Sequence, residues 1–217
     1  METYLSLKDH VYNYITAEIN AGRLMPNEKV NEQKISEILN ISRTPVREAL
    51  IQLASDGFLE NVPRKGFVIR GVSAQEARET YIILGALDGL AAFYACDKIG
   101  EREWKDMRFY VESMELAIQS DNLDMYYKQQ EAFHKIYIER CGNKSLIELL
   151  DRIKKKFLRK SYSVVCGDED IKSILRHTNQ EHLKIVELFE MRDVQGVERY
   201  IKEIHWKPEW AYMESLS

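Results

Sequence analysis

Proline is scarce and unevenly spread: three of the four in this 217-residue chain fall within the first 63 residues, and only Pro208 lies beyond. A long stretch without proline permits long uninterrupted helices. Cysteine is scarcer still. Cys96, Cys141 and Cys166 show no CxxC or zinc-finger spacing, and their odd number argues against a disulfide framework, leaving free thiols suited to a reducing compartment. An apolar run near 20 residues is missing, as are an N-terminal signal segment, internal repeats and low-complexity tracts, so the sequence predicts a soluble cytoplasmic protein with no membrane partner. Positive charge is also in deficit. With 31 Lys and Arg against 35 Asp and Glu, the net charge is −4, which on its own speaks against nucleic acid.

What is present reverses that last inference. Apolar residues recur at helical spacing as Ile35, Ile38 and Leu39, then as Val46, Ala49, Leu50 and Leu53, so two short helices can each bury one face against the other. Between them, Asn40-Ile-Ser42 has room only for a tight turn, with Asn40 suited to positive φ and Ser42 placed to cap the second helix. Pro45 then falls in that helix's first turn, where a missing N–H costs nothing. The helix opens with Arg43, Thr44 and Arg47, and the two arginines, four apart, share a face opposite the apolar residues. A recognition helix meets bases and phosphates with such N-terminal residues. Phe58–Val62 and Gly66–Ile69 are short β-prone runs joined by Pro63-Arg-Lys65, which predicts a hairpin with a cationic tip. An ordinary helical hairpin with solvated arginines is the bland alternative; the order of turn, cap, basic helix start and basic wing favours DNA. Residues 1–70 carry nine basic and nine acidic residues, so affinity must come from the clustering of Arg43, Arg47, Arg64, Lys65 and Arg70, and dimerisation is expected to be needed.

From Ser73 onward strand-like alternation gives way to amphipathic helical patterns. Ser73-Ala-Gln-Glu76 reads as a capping box opening a helix to about residue 99. Further helices are predicted over 101–120, 122–140, 144–162, 169–191 and 194–206, with Asp121, Asn143 and Asp193 as caps and Cys141-Gly-Asn143 as a break. The fold class is therefore mostly α: a winged helix-turn-helix domain over 1–71 and an all-α bundle of about six helices over 72–217. Three of the five histidines, His134, His182 and His205, fall on separate predicted helices. Facing one core, their imidazoles would suit Zn²⁺ or another divalent first-row metal; the alternative is three isolated, hydrogen-bonded core histidines, and spacing alone does not choose. Arg152–Lys160 holds six basic residues in nine. It reads as a solvated helix face, with a DNA-backbone contact or attraction of an anionic effector as functional alternatives.

Residues 4–70 resemble the winged-helix domain of GntR-family bacterial regulators, on the strength of Ser42-Arg-Thr-Pro-Val-Arg-Glu-Ala-Leu50, the Gly22, Leu24 and Pro26 lead-in, and Gly66. The resemblance implies that Ser42, Arg43, Thr44 and Arg47 contact operator DNA, with Arg64, Lys65 and Gly66 in the wing. Gln33 stands where fatty-acid-responsive members carry a DNA-touching Arg. Phe133-His134, Cys141-Gly-Asn143 and Glu181-His182 with Ile185 are similar to landmarks of the FCD effector domain of FadR-type members. In metal-binding members an Asp four residues before the first His, that His and two later His hold one metal beside the effector. This chain has Gln130 at the Asp position, and His205 comes one residue late, with Ile204 at the aligned place. One residue turns a helix by about 100°, a shift expected to swing the imidazole away from the cavity. Leu84 replaces an effector-pairing Arg, while Asp88 keeps the acidic residue of that motif.

The reading is a non-enzymatic, ligand-responsive repressor that binds a palindromic operator as a homodimer. Its effector pocket would be lined by His134, His182, Gln130 and Leu84 and take a small molecule, carboxylates among the candidates. A metal-dependent hydrolase tethered to DNA and a constitutive DNA-binding protein are the rival readings.

Overall fold

The structure, a computed structural model, describes residues 5–20, 23–157 and 171–214. Two apolar cores with no shared member organise it. The first gathers Val11, Ile15, Val46, Leu50, Leu53, Leu59 and Ile69, and the second runs from Val72 to Ala211.

Around the first core lie α1 (Leu7–Asn20), α2 (Glu32–Leu39), α3 (Arg43–Ser55) and the antiparallel strands β1 (Leu59–Val62) and β2 (Gly66–Ile69). The strands pair in the register Leu59↔Ile69 to Val62↔Gly66, as the hairpin reading expects. A third segment joins them: Val30 N–H donates to the Phe67 carbonyl at 2.8 Å, and Lys29 bridges Val68. Asn40 takes φ +52° between α2 and α3, as expected, and Asn31 caps α2 by accepting from Gln33 and Lys34. Val46, Ala49, Leu50 and Leu53 are buried. Two expectations fail here. Ile38 is 52 % exposed, because Ile35 alone of α2 reaches deep into the core and Ile41 in the turn completes that contact. Ser42 does occupy the N-cap position of α3, but its hydroxyl makes no cap bond.

The second core is enclosed by α4 (Ala74–Ala95), which continues into a 3₁₀ turn (Cys96–Lys98), α5 (Glu101–Gln119), α6 (Leu123–Arg140), α7 (Lys144–Phe157), α8 (Ile171–Glu190) and α9 (Val194–Tyr200). A π turn (Ile201–His205) and a 3₁₀ segment (Pro208–Glu214) follow. These match the expected helices closely; residues 158–170, with Cys166, Arg159 and Lys160, lie outside the described residues. Asn143 and Asp193 cap as expected, accepting from Leu146 N–H at 3.1 Å and Gly196 N–H at 2.9 Å. Asn122, not Asp121, caps α6, since Asp121 takes φ +55° and turns its carboxylate to Lys172. Ser73 accepts from Glu76 N–H, half of the expected capping box, and the Glu76 carboxylate instead takes Arg70 at 2.7 Å. Arg70 also approaches Glu60 of β1 at 3.6 Å. It therefore clasps the wing to the first turn of α4, and the expectation that it adds to the DNA-facing charge is corrected.

α4 is the centre of the bundle, packed against α6, α7, α9, the π turn and the 3₁₀ segment. Among the described residues, Ala74–Lys98 is long and apolar enough to cross a membrane by length and composition, which overturns the expectation that no such run exists. Packing of α4 inside the bundle accounts for half of that window, which is 50 % buried. Two glycines set how closely its neighbours approach: a Cβ on Gly85 would lie 2.9 Å from the Lys202 carbonyl, and one on Gly89 would lie 2.8 Å from that of Glu198. The backbone of α9 and the π turn can ride on α4 only because both positions lack a side chain.

Candidate DNA interface and metal centre

Ser42, Arg43, Thr44 and Arg47 are all exposed at the start of α3. Buried Val46, Ala49 and Leu50 hold the opposite face in the core, so the basic face projects outward. None of these four side chains hydrogen-bonds to another described residue, which leaves two guanidiniums and two hydroxyls available to an external ligand. At the wing tip, Lys65 N–H donates to the Val62 carbonyl at 3.0 Å, with Arg64 at φ +67° and Gly66 at φ +84°. That turn presents the exposed Arg64 and Lys65 side chains at its apex. Gln33 is exposed too, but its amide donates to Glu37 at 3.0 Å.

In the helical bundle, His134 of α6, His182 of α8 and His205 of the π turn converge, all three buried. Nε2 of His134 lies 3.3 Å from Nε2 of His182 and 3.2 Å from Nε2 of His205. The expectation that the one-residue offset swings His205 away is not met, and the π turn is the reason. Its i→i+5 bond, Trp206 N–H to the Ile201 carbonyl at 3.1 Å, accommodates one more residue per turn than an α-helix would. The extra residue is absorbed, leaving His205 8 % exposed while Ile204 is 43 % exposed.

The backs of two of these rings are held by carboxylates. His205 Nδ1 is 3.0 Å from Glu181 Oε2. His134 Nδ1 is 2.6 Å from the Tyr137 hydroxyl and 3.4 Å from Asp88 Oδ2. Asp88 is fully buried and takes Lys154 Nζ at 3.1 Å and Trp206 Nε1 at 2.7 Å. Lys154 also lies 5.4 Å from the Trp206 ring centroid. Burial opposes the charge of Asp88, but Lys154, His134 and Trp206 outweigh it and hold the carboxyl well below its usual range. For His134, burial and then the nearby Lys154 push the imidazole down to about 3. Burial, then His205 and His134, carry His182 well below its ordinary value. Tyr137 is raised far above the usual phenol range by burial and by Asp88. At neutral pH His134 and His182 are therefore neutral.

Neutral imidazole is the form that ligates metals. A carboxylate on Nδ1 keeps the proton there and turns the Nε2 lone pair outward, so the pairs at His134 and His205 aim two lone pairs at the shared point. Two nitrogens each about 2.0–2.1 Å from one zinc stand about 2.8–3.0 Å apart at 90° and about 3.3–3.4 Å apart at the tetrahedral angle; the 3.2 and 3.3 Å separations from His134 lie near the tetrahedral value, and all three ligand atoms lie within 4.8 Å of one another. These three residues form the only cluster of three or more His, Cys, Asp or Glu among the described residues whose ligand atoms gather this way.

Gln130 is half-buried one turn before His134 and makes no hydrogen bond to another described residue. Leu84 is fully buried in the core of α4, so its position offers no polar anchor. Sequence reasoning missed Lys154, Glu181, Tyr137 and Trp206. Lys154 lies in the basic run yet leaves the basic face to reach Asp88; the side chains of 155–160 lie outside the described residues. Tyr137 is one turn from His134 and Glu181 adjoins His182, and this proximity was the available signal.

Comparison with known proteins finds a family match for each half of the chain. Residues 7–69 match the family described as bacterial regulatory proteins, gntR family, and residues 79–205 match the FCD domain. An uncharacterized HTH-type transcriptional regulator of Bacillus subtilis, YdhC, is 27 % identical over 191 residues, covering 88 % of this chain and 84 % of the relative. The HTH-type transcriptional repressor RspR of Escherichia coli is 24 % identical over 193 residues, covering 89 % and 83 %. Among solved structures, E. coli McbR/YncC shares the fold at a TM-score of 0.79 with 19 % identity, covering 97 % of this chain and 98 % of that one. A GntR regulator from Rhodococcus gives 0.77 at 16 %, covering 96 % and 98 %. The FCD match alone spans more than half of the sequence, and with the winged helix before it the chain belongs to the gntR family of bacterial regulatory proteins as an FCD-domain, DNA-binding transcription regulator.

Proposed function

We propose that this regulator is a homodimeric repressor whose helical domain, residues 72–217, holds a divalent metal on His134, His182 and His205 and binds a small-molecule effector beside it. The winged helix, residues 1–71, then reads one half of a palindromic operator through Arg43, Thr44 and Arg47, with Ser42, Arg64, Lys65 and the Gly66 backbone on phosphates. The observation that carries the metal reading is the convergence of three buried imidazole nitrogens, two of them backed by carboxylates. A bound metal would act as a Lewis acid, with open positions for an oxygen ligand of the effector.

A palindrome requires two recognition helices about 34 Å apart, and the exposed face of α4 suits the contact between copies. Ile82 is 59 % exposed, Ile83 50 % and Tyr94 46 %. No charged side chain is exposed between Glu79 and Asp97. Effector binding shifts operator affinity only through its different affinity for the two dimer arrangements.

The hydrolase reading is disfavoured because the carboxylates at the site are engaged, Asp88 with Lys154 and Trp206 and Glu181 with His205. Metal analysis of the purified protein tests the proposal, with one bound zinc, nickel or manganese per chain expected and loss in His182→Ala. A chain that binds none of these metals would remove the metal reading. Operator affinity unchanged across a panel of carboxylates and other metabolites would leave a constitutive DNA-binding protein. Sedimentation should show a dimer that Ile83→Asp dissociates.

A further inference from the structure

We infer that Glu181 is the positioning residue that supplies the metal centre with the negative charge its three ligands lack. This rests on the reading that His134, His182 and His205 hold a divalent cation. Three neutral imidazoles leave such a cation with its full double charge inside a buried cavity, and an uncompensated buried charge is costly. Two carboxylates stand behind the ligands, and they are not equivalent. Asp88 shares one oxygen between Lys154 Nζ at 3.1 Å, Trp206 Nε1 at 2.7 Å and His134 Nδ1 at 3.4 Å. Its charge is largely offset by the lysine.

Glu181 is 6 % exposed and meets no lysine or arginine among the described residues. Oε2 lies 3.0 Å from His205 Nδ1, and Oε1 lies 3.4 Å from Nε2 of the largely exposed His177. It is therefore the uncancelled negative charge nearest the three nitrogens. Its position in the fold also makes it the guide for the least regular ligand. α8 delivers His182 as a ligand and, one residue earlier and about 100° round the helix, sends Glu181 to the back of His205 on the π turn. One helix thus supplies one ligand and orients another.

The test uses the full chain, zinc and a competing chelator of known affinity. Glu181→Gln keeps an oxygen that can accept from Nδ1–H but removes the charge, and zinc affinity should fall about 10- to 100-fold. Glu181→Ala removes both and should fall further, whereas Glu139→Gln, which removes an exposed carboxylate paired with Lys135 on α6, should leave affinity unchanged. Loading with Co²⁺ supplies a readout of the ligand sphere itself: the visible spectrum of Glu181→Gln should keep the coordination of the parent. Parent-like zinc affinity in Glu181→Gln, a cobalt spectrum showing loss of a ligand, or an equal loss in Glu139→Gln would each overturn the inference. A parent chain that fails to bind zinc or cobalt would refute the metal reading itself, a separate outcome. If the alanine variant fails to fold, the isosteric glutamine variant still decides the matter.

Discussion

The two functional regions are built on opposite plans. At the DNA face, the candidate contacts lie within two short stretches, Ser42–Arg47 and Arg64–Gly66; the side chains of Ser42, Arg43, Thr44, Arg47, Arg64 and Lys65 are exposed and bonded to no described neighbour. At the candidate metal centre, the groups come from residues as far apart as Asp88 and Trp206 and are buried, with most fixed by at least one partner. A face that must fit an external duplex keeps its side chains uncommitted until binding, whereas a site for a small ion is preorganised and owes its affinity to rings that cannot turn away. Substitutions at the first should change what is bound and leave the second intact, and the reverse should hold.

The largest expected effect is at the centre. His182→Ala should weaken zinc binding by more than about 100-fold, beyond the loss typical of outer partners, and leave operator binding by the metal-free protein unaltered; chelator competition and a gel-shift titration measure the two. Next is the recognition helix, where Arg43→Ala or Arg47→Ala should cost about 1–3 kcal/mol of operator affinity and relax sequence preference, with zinc affinity intact. Unchanged operator affinity in both variants would sink the assignment of α3.

Gly85→Ala places a methyl 2.9 Å from the Lys202 carbonyl and 3.1 Å from Trp206 Cβ. Overpacking of this kind costs about 1–3 kcal/mol, and because the displaced segment carries His205, calorimetric zinc titration should show weakened binding together with a lower melting temperature. Acid should act on the same region. Unfolded histidine takes a proton near 6.5, whereas folded His134 takes one only at about 3. Between those values the unfolded state binds more protons, so the stability of the chelator-treated protein should fall as pH drops, by at most about 1.4 kcal/mol per unit for each such histidine. Urea midpoints at pH 7 and pH 5 would reveal a flat profile if these imidazoles were not held neutral. The smallest effect separates two arginines of the wing: Arg64→Ala should reduce the salt slope of operator binding by about one, while Arg70→Ala, already paired with Glu60 and Glu76, should leave that slope unchanged.

The difference in plan also decides what could be read in the chain. Ser42–Leu50 encodes turn, helix start and basic face within nine residues, all governed by local rules, so the turn, the helix and its exposed basic face could be anticipated together. α1 carries no motif that marks it in the sequence, and the third strand segment at Lys29 and Val30 depends on pairing across more than thirty residues. In the bundle, helix ends were legible from Asn143 and Asp193, and the three histidines from their residue type. Their convergence was not, because it depends on a π turn that periodicity does not signal and on Gly85 and Gly89 letting that turn approach α4. Ile38 misled because apolar spacing shows which residues share a face but not how deep that face sits.

Arg70 gives the junction a mechanical property. Glu76, its partner, begins the same helix that places Asp88 at the metal centre, twelve residues and about 18 Å farther along. The wing is thus coupled to one end of a stiff rod whose other end carries Asp88, so a small tilt of α4 at Asp88 would be transmitted to the wing as leverage instead of being dissipated in a slack tether.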